Sequence, residues 1–475
     1  MSSIPYLSLT ALRRKLRSGE LSSEQVVKAF LEQIRLYNPS INAVTSLDPN
    51  GALIKAQECD RALLEGWDVG PLHGIPFTIK DAQQAAGFRS TYGIPSLNPD
   101  ISEGDSYPVR KLKNMGGIPL GRTNVPMGAF DWQCSNPIFG RTNNPWDLGR
   151  TPGGSSGGAA AAVAAGMTPF EIGSDLGGSL RYPAHCCGVY SLRTSFGLIP
   201  LEGFFPPKSP GRLETVLVHG PIARHPEDLR LILEALTETE SVGAAPLKST
   251  KIAWVDSMAG LGLGEASHEL FEDFLNQLRA AGLSIERAWP ADLDFEEMIR
   301  VWGTIVGYEY KSFLPSKSLF GPVGWIVSEA LRRFWLDNSR VTRAFLGGVR
   351  SNLRDYQSAL RRRDEMQESL TNFLEHFDLW ITPTAPDPAI EHKEGRPRLH
   401  VNSAEMEYGD YFGGFLLPVA ITHHPILTMP FALTQRGLPI AVQLHAKPGR
   451  DFHLTHWAEE LRAFTSPITY PFEEK

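Results

Sequence analysis

The sequence predicts an α/β fold, a single-domain α/β/α sandwich around a mixed, mostly parallel β-sheet that uses the whole chain, residues 1–475. Three observations predict it. Short apolar runs such as Ile75-Pro-Phe-Thr-Ile79 and Lys251-Ile-Ala-Trp-Val255 read as buried strands, and stretches with helical apolar spacing alternate with them along the full length. No linker or internal repeat divides the chain. Its 475 residues, 42% hydrophobic, suffice for one large core.

The elements follow in order. Ser22-Ser-Glu-Gln25 is a capping-box pattern with Leu21 placed as the staple, and Val26, Val27, Phe30, Leu31 and Ile34 then recur at helical spacing. That helix is expected to end at Asn38-Pro39. A second helix is predicted over 51–65, and the strand at 75–79 delivers Lys80 at its end. Residues 108–115 read as helix and 118–120 as strand. The stretch 124–151 reads as a Gly/Pro/Asn-rich loop, and loops this long inside a compact enzyme are usually functional. The small-residue run 159–165 forms a tightly packing helix, 168–173 a short buried strand, 268–281 a helix and 379–382 a strand closed by Pro383.

Two regions need a choice. Residues 411–435 contain no Asp, Glu, Lys or Arg, long enough to raise the question of a membrane span. Pro418, Pro425 and Pro430 argue against it, and buried strand and loop is the reading. Residues 295–350 crowd Trp302, Tyr308, Tyr310, Phe313, Phe320, Trp325, Phe334, Trp335 and Phe345 into a mostly helical stretch. This is either the core of a helical subregion or a lid for an apolar substrate.

Composition excludes several classes. The formal charge of −7 and the short basic groups, such as Arg361-Arg-Arg363, without aromatic interleaving speak against nucleic-acid binding. Four Cys make no disulfide framework, and no Cys or His group has zinc-ligand spacing, so no metal is expected and a reducing, cytoplasmic location fits. The N-terminus offers no apolar signal-peptide core. No glycine pattern of the Walker or Rossmann kind is present, so no cofactor is expected.

The chemistry concentrates in two Ser/Gly clusters. Thr151-Pro-Gly-Gly-Ser155-Ser156-Gly-Gly158 precedes Gly173-Ser-Asp175-Leu-Gly-Gly-Ser179-Leu-Arg181, and Ser155 and Ser179 stand 24 positions apart. Gly153-Gly-Ser155-Ser-Gly157 satisfies the nucleophile-elbow pattern, but a Pro-Gly loop stands where that elbow wants a strand. The sequence has no Ser-x-x-Lys, which removes the penicillin-recognising serine enzymes.

These clusters resemble the amidase signature family. So do His73-Gly-Ile-Pro-Phe-Thr-Ile-Lys80-Asp81, Gly121-Arg-Thr-Asn124, Asn143-Asn-Pro-Trp-Asp147 and Gly220-Pro-Ile-Ala-Arg224. The likeness is strongest over 63–224, a signature core, and weaker at Gly437-Leu-Pro-Ile-Ala-Val-Gln443. The resemblance implies a Ser-Ser-Lys triad with Ser179 as nucleophile, Ser155 as bridging serine after a cis Gly154–Ser155 peptide, and Lys80 as base. It implies an oxyanion hole from the backbone of Leu176, Gly177, Gly178 and Ser179, with Ser156, Asp175 and Arg181 in support. A base role requires burial to lower the lysine pKa from about 10.4. Where the family continues with Gly-Leu-Lys-Pro, this chain has Ser191-Leu-Arg-Thr194.

The function expected is an amidohydrolase cleaving a carboxylic amide, with esters as further substrates, through an acyl-enzyme on Ser179. Met127, Phe130, Trp132 and Cys134 would line the pocket and favour aryl or fatty acyl groups. The partner expected is a small-molecule amide, and a homodimer is compatible with the chain. The rival readings are the glutamine-hydrolysing component of a tRNA-dependent amidotransferase and a non-catalytic binding protein on the same fold.

Overall fold

Among the described residues eleven strands hydrogen-bond into one sheet, and the chain order of those strands already places the site. The computed structural model describes residues 4–67, 70–204, 213–313 and 337–473. In chain order the strands are β1 (Val44–Leu47), β2 (Pro76–Lys80), β3 (Ile118–Thr123), β4 (Phe170–Asp175), β5 (Tyr190–Arg193), β6 (Val218–Ala223), β7 (Lys251–Trp254), β8 (Ser284–Arg287), β9 (Leu379–Pro383), β10 (Ile426–Leu433) and β11 (Pro439–His445). In space they run β1-β3-β2-β4-β6-β5-β10-β11-β9-β7-β8.

The sheet is mixed, and its parallel pairings form two blocks. β3, β2 and β4 are parallel on one side, β9, β7 and β8 on the other. The ladders joining the blocks through β6, β5, β10 and β11, and the edge pairing of β1 with β3, are antiparallel. Six of the ten ladders are therefore antiparallel and four parallel. Every residue of β2, β4, β5, β6, β9 and β11 is buried, so both faces of the sheet are covered, as a sandwich of helices around it requires.

Local chemistry explains most boundaries. The capping box at Ser22 and Gln25 is formed on both sides. The helix it opens runs from Ser23 to Ile41, straight through Pro39, three residues beyond the expected stop at Asn38. The side chain of Asn38 explains the end: its Oδ1 accepts from the N–H groups of Ala43 and Val44, and Asn42 takes the left-handed conformation at φ 56°. Residues 411–435 hold more helix than the strand and loop expected. Tyr408–Leu416 is helical, a 3-10 turn covers Pro418–Thr422, and only β10 is strand. Tyr411, Phe412, Phe415 and Leu416 are buried on that helix, which accounts for the missing charges without a membrane. Among the described residues no helix is long and apolar enough to cross one.

The aromatic region contributes two closely packed partners to the site, helices Phe295–Tyr310 and Arg340–Arg350, which make the most extensive contact between any two of the described elements. Gly303, Gly307 and Gly348 allow it: a Cβ on Gly348 would stand 2.2 Å from the Gly303 carbonyl oxygen. Phe320, Trp325, Phe334 and Trp335, part of the lid expectation, lie outside the described residues.

Candidate active site

Parallel strands end on the same side, and ligand sites of α/β sheets form where they end. β2 ends at Lys80, its partner on β3 is Thr123, and β4 ends two pairs further on at Ser174-Asp175. The helix Gly157–Ala164, made only of Gly, Ala and Val and wholly buried, packs close enough to bring its N-terminal serines to the same point. Gly158 shows how close: a Cβ there would meet the Asn124 backbone nitrogen at 2.4 Å. The peptide Gly154–Ser155 before that helix is cis.

Lys80 is fully buried at this convergence. Its Nζ lies 2.8 Å from Ser155 Oγ, 2.8 Å from Ser156 Oγ and 3.0 Å from Ser174 Oγ. No carboxylate among the described residues lies within ion-pair distance of it. Burial therefore dominates and pushes the ammonium down to about 7, against the charges of Asp175 and Glu171, which favour protonation. A neutral amine has one lone pair, so one of the three hydroxyls can donate to it.

Ser179 is half-buried and faces the adjacent cavity. Among the described residues no hydrogen bond joins its hydroxyl to that of Ser155. The two clusters meet instead through the main chain, where Ser156 N–H donates to the Ser179 carbonyl at 3.2 Å.

Asp175 holds the nucleophile loop. Its Oδ1 accepts from Gly178 N–H at 2.8 Å and Arg181 Nη2 at 3.0 Å, its Oδ2 from Leu180 N–H at 3.1 Å and Arg181 Nε at 3.0 Å. Arg193, where the sequence departs from the family pattern, stands 3.5 Å away as a second cation. Burial opposes the Asp175 charge, but Arg181 foremost, with Arg193 and the Gly178 N–H, holds the carboxyl far below the usual range. Arg181 itself is anchored by the Leu416 carbonyl and Gln443 Oε1, both at 2.8 Å, so the 437–443 segment buttresses the loop.

Of the expected oxyanion-hole donors, Gly178 N–H is thus already taken by Asp175. Gly177 N–H has no protein acceptor among the described residues. Gly178 has φ 103°, a conformation only glycine takes easily, and a Cβ there would stand 2.5 Å from Leu416 Cδ1.

A cavity opens beside Ser179. Phe130, Trp132, Trp302 and Val341 form its apolar wall, and Asp131 and Arg396 are its charged groups. Met127 and Cys134, expected there, are buried elsewhere: Cys134 packs under Gly157 and its Sγ lies 3.4 Å from the Asn124 carbonyl. Sequence reasoning missed Ser174, Glu171 and Arg396. Glu171, on β4 behind Lys80, accepts from Thr78 and Thr123 hydroxyls, both at 2.5 Å, and burial pushes its carboxyl up to about 7. Ser174 had a sequence signal, since it stands between the predicted strand's end at Gly173 and Asp175. Among the described residues no group of three or more His, Cys, Asp or Glu side chains is placed to hold a metal ion.

The family model described as Amidase matches residues 25–455. The chain is 30% identical to an acylamidase of Rhodococcus erythropolis, over 94% of this chain and 93% of that one. It is 30% identical to an indoleacetamide hydrolase of Bradyrhizobium diazoefficiens, over 90% and 81%. One component of the glutamyl-tRNA(Gln) amidotransferase of a Geobacter species is 28% identical over 93% and 94%. Among solved structures, one described as an amidase superposes with a TM-score of 0.81 at 27% identity, covering 97% of this chain and 100% of that one. Fatty acid amide hydrolase superposes at 0.83, with 21% identity and 97% and 85% covered, a likeness of fold. The chain belongs to the amidase signature family and is a hydrolase of carbon–nitrogen bonds in amides.

Proposed function

We propose that this enzyme cleaves the amide of an aryl or similarly apolar acyl group through an acyl-enzyme on Ser179, with Lys80 and Ser155 moving the protons. The observation that carries the reading is the surroundings of Lys80, a buried amine within 3.0 Å of three serine hydroxyls and lowered to about 7, so that near neutral pH a large fraction can accept a proton.

In the proposed reaction, neutral Lys80 takes the proton of Ser155, and Ser155 takes that of Ser179 as its Oγ attacks the carbonyl carbon. The hydrogen bond from Ser179 to Ser155 closes when substrate fills the cavity, a tightening common between free and substrate-bound enzymes. The carbonyl oxygen becomes an oxyanion held by backbone N–H groups of the 176–179 loop, each donor worth about 3 kcal/mol. Ser155 then returns a proton to the amide nitrogen, drawn from the Lys80 ammonium, and the amine leaves. Water, activated by the same relay, attacks the acyl-enzyme and releases the carboxylic acid. Ser156 and Ser174 hold the Lys80 nitrogen in place.

The aromatic wall of Phe130, Trp132 and Trp302 supports an aryl or arylalkyl acyl group. The indoleacetamide hydrolase relative acts, by its name, on an amide with an arylalkyl acyl group. The test is amine release from primary amides, anilides and long-chain acyl amides, with glutamine in the panel. Turnover lost in both Ser179→Ala and Lys80→Ala supports the mechanism, and the panel ranks the acyl groups. Glutamine as the sole substrate would instead favour the glutaminase reading that the amidotransferase relatives suggest.

A further inference from the structure

Two tryptophans from different parts of the chain donate to successive carbonyls of the nucleophile loop. Trp302 Nε1, on the helix Phe295–Tyr310, donates to the Leu176 carbonyl at 3.1 Å. Trp132 Nε1, on the loop after β3, donates to the Gly177 carbonyl at 3.0 Å. We propose that Trp302 and Trp132 are positioning residues that aim the oxyanion-binding N–H groups, and that through their rings the acyl group tunes that aim. The proposal rests on the reading of Ser179 as nucleophile.

The argument is peptide geometry. In a planar trans peptide the N–H points opposite to the C=O of the same unit. The Leu176–Gly177 unit is gripped at its carbonyl by Trp302, which turns the Gly177 N–H to the other side, where no protein acceptor meets it among the described residues. The Gly177–Gly178 unit is gripped at both ends, by Trp132 on its carbonyl and by Asp175 on its N–H. So Trp302 fixes the Gly177 N–H, one of the donors this loop leaves open, whereas Trp132 shares its unit with Asp175. Glycines need this: a loop of Leu176-Gly-Gly-Ser179 has little stiffness of its own. Gly177 must also stay bare, since a Cβ there would stand 3.3 Å from Trp302 Cζ2 and 2.7 Å from Leu417 Cδ2.

The same two rings line the cavity beside Ser179. Trp132 stacks on Phe412 at 5.3 Å between centroids, and Trp302 is nine-tenths or more buried, so both are held firmly. An acyl group that packs against them presses on the indoles that set the loop. Acyl preference then shows in kcat, as binding energy realised in the transition state, more than in KM.

The experiment uses Trp302→Phe and Trp132→Phe in the full chain, which keep a ring and remove the N–H. Kinetics on the best aryl amide are paired with the affinity of an aryl boronic acid, which forms a tetrahedral adduct on a serine. We expect Trp302→Phe to lower kcat about tenfold or more with KM within about twofold, and to weaken the boronic acid by the same factor. Trp132→Phe gives the same signature at smaller size. Substrate affinity measured in the Ser179→Ala background falls far less than kcat in both, because phenylalanine keeps a ring in the wall that binds the acyl group. A rise in KM with kcat intact overturns the proposal and leaves the rings as walls only. A fall in kcat with boronic-acid affinity intact overturns it as a structural effect. Ser179→Ala that still turns over overturns both this proposal and the nucleophile reading, whereas an essential Ser179 with an indifferent Trp302 overturns this one alone.

Discussion

Lys80 and Asp175 are both fully buried in adjoining parts of one site, and burial leaves them in opposite conditions. Around Lys80 stand three hydroxyls and no carboxylate close enough to pair, so the cost of burying charge falls on the ammonium and brings it down to about 7. Around Asp175 stand the bidentate guanidinium of Arg181, the guanidinium of Arg193 and two backbone N–H groups, which outweigh the same cost and lock the carboxylate charged. The first arrangement makes a proton mobile. The second makes a loop rigid. Partner chemistry, and not depth, decides which of two buried ionisable groups can do acid–base work.

Breaking the mobile side has the largest expected effect on rate. Ser179→Ala should lower kcat by about 10⁶ and Lys80→Ala by about 10³ or more, and the double variant should be no worse than Ser179→Ala, because groups acting as a unit do not add. Amine release by the three variants checks this. Additive losses would mean the two residues act separately.

Breaking the rigid side should act on stability. Arg181→Met leaves Asp175 short of its main partner in a dry interior and should cost about 3–5 kcal/mol by urea unfolding. Lys80→Met should cost little or stabilise, since a buried amine without a carboxylate partner is itself a burden. The sign follows from proton binding. The Lys80 folded value of about 7 lies below its unfolded 10.5, so between those values the unfolded chain binds more protons and stability rises with pH. The gain from Lys80→Met should therefore be greatest below about pH 7 and shrink as pH climbs toward 10.5. A gain constant across that window would mean Lys80 is not lowered on folding.

The two sides also differed in how legible they were. Lys80, Ser155 and Ser179 were expected from the resemblance their motifs carry, and the structure brings Ser155 to Lys80 and holds Ser179 one contact short. The capping box at Ser22 was readable because it is local. The charge-free stretch 411–435 misled in part because burial erases charge from helix and strand alike, and only the period distinguishes them. Pro39 inside a helix was not readable, since the Asn38 side chain that supports the turn acts across a loop not yet folded. Glu171 and Arg396 stayed hidden because each becomes part of the site only through long-range packing: Glu171 by pairing β4 beside β2, Arg396 by reaching the Tyr408 ring, 5.5 Å away.

The smallest effect expected is also the sharpest on the comparison, because it concerns a buried carboxylate that belongs to neither arrangement. Glu171 is held by Thr78 and Thr123 hydroxyls, and its charge favours protonation of Lys80 without reaching ion-pair distance. Facing the same buried region are Asp175, Arg122, Cys134 and His219, none of which changes in the variant. In the wild type, kcat/KM should rise with pH through about 7 as Lys80 loses its proton. Glu171→Gln removes a negative charge, disfavours the ammonium and should move that acid limb to lower pH, by less than about one unit because Glu171 itself titrates near the same pH and the two share their protons. A full pH profile of both proteins checks it. An acid limb that stays in place would show that Glu171 carries no charge where Lys80 titrates, so that hydroxyl partners and burial set Lys80.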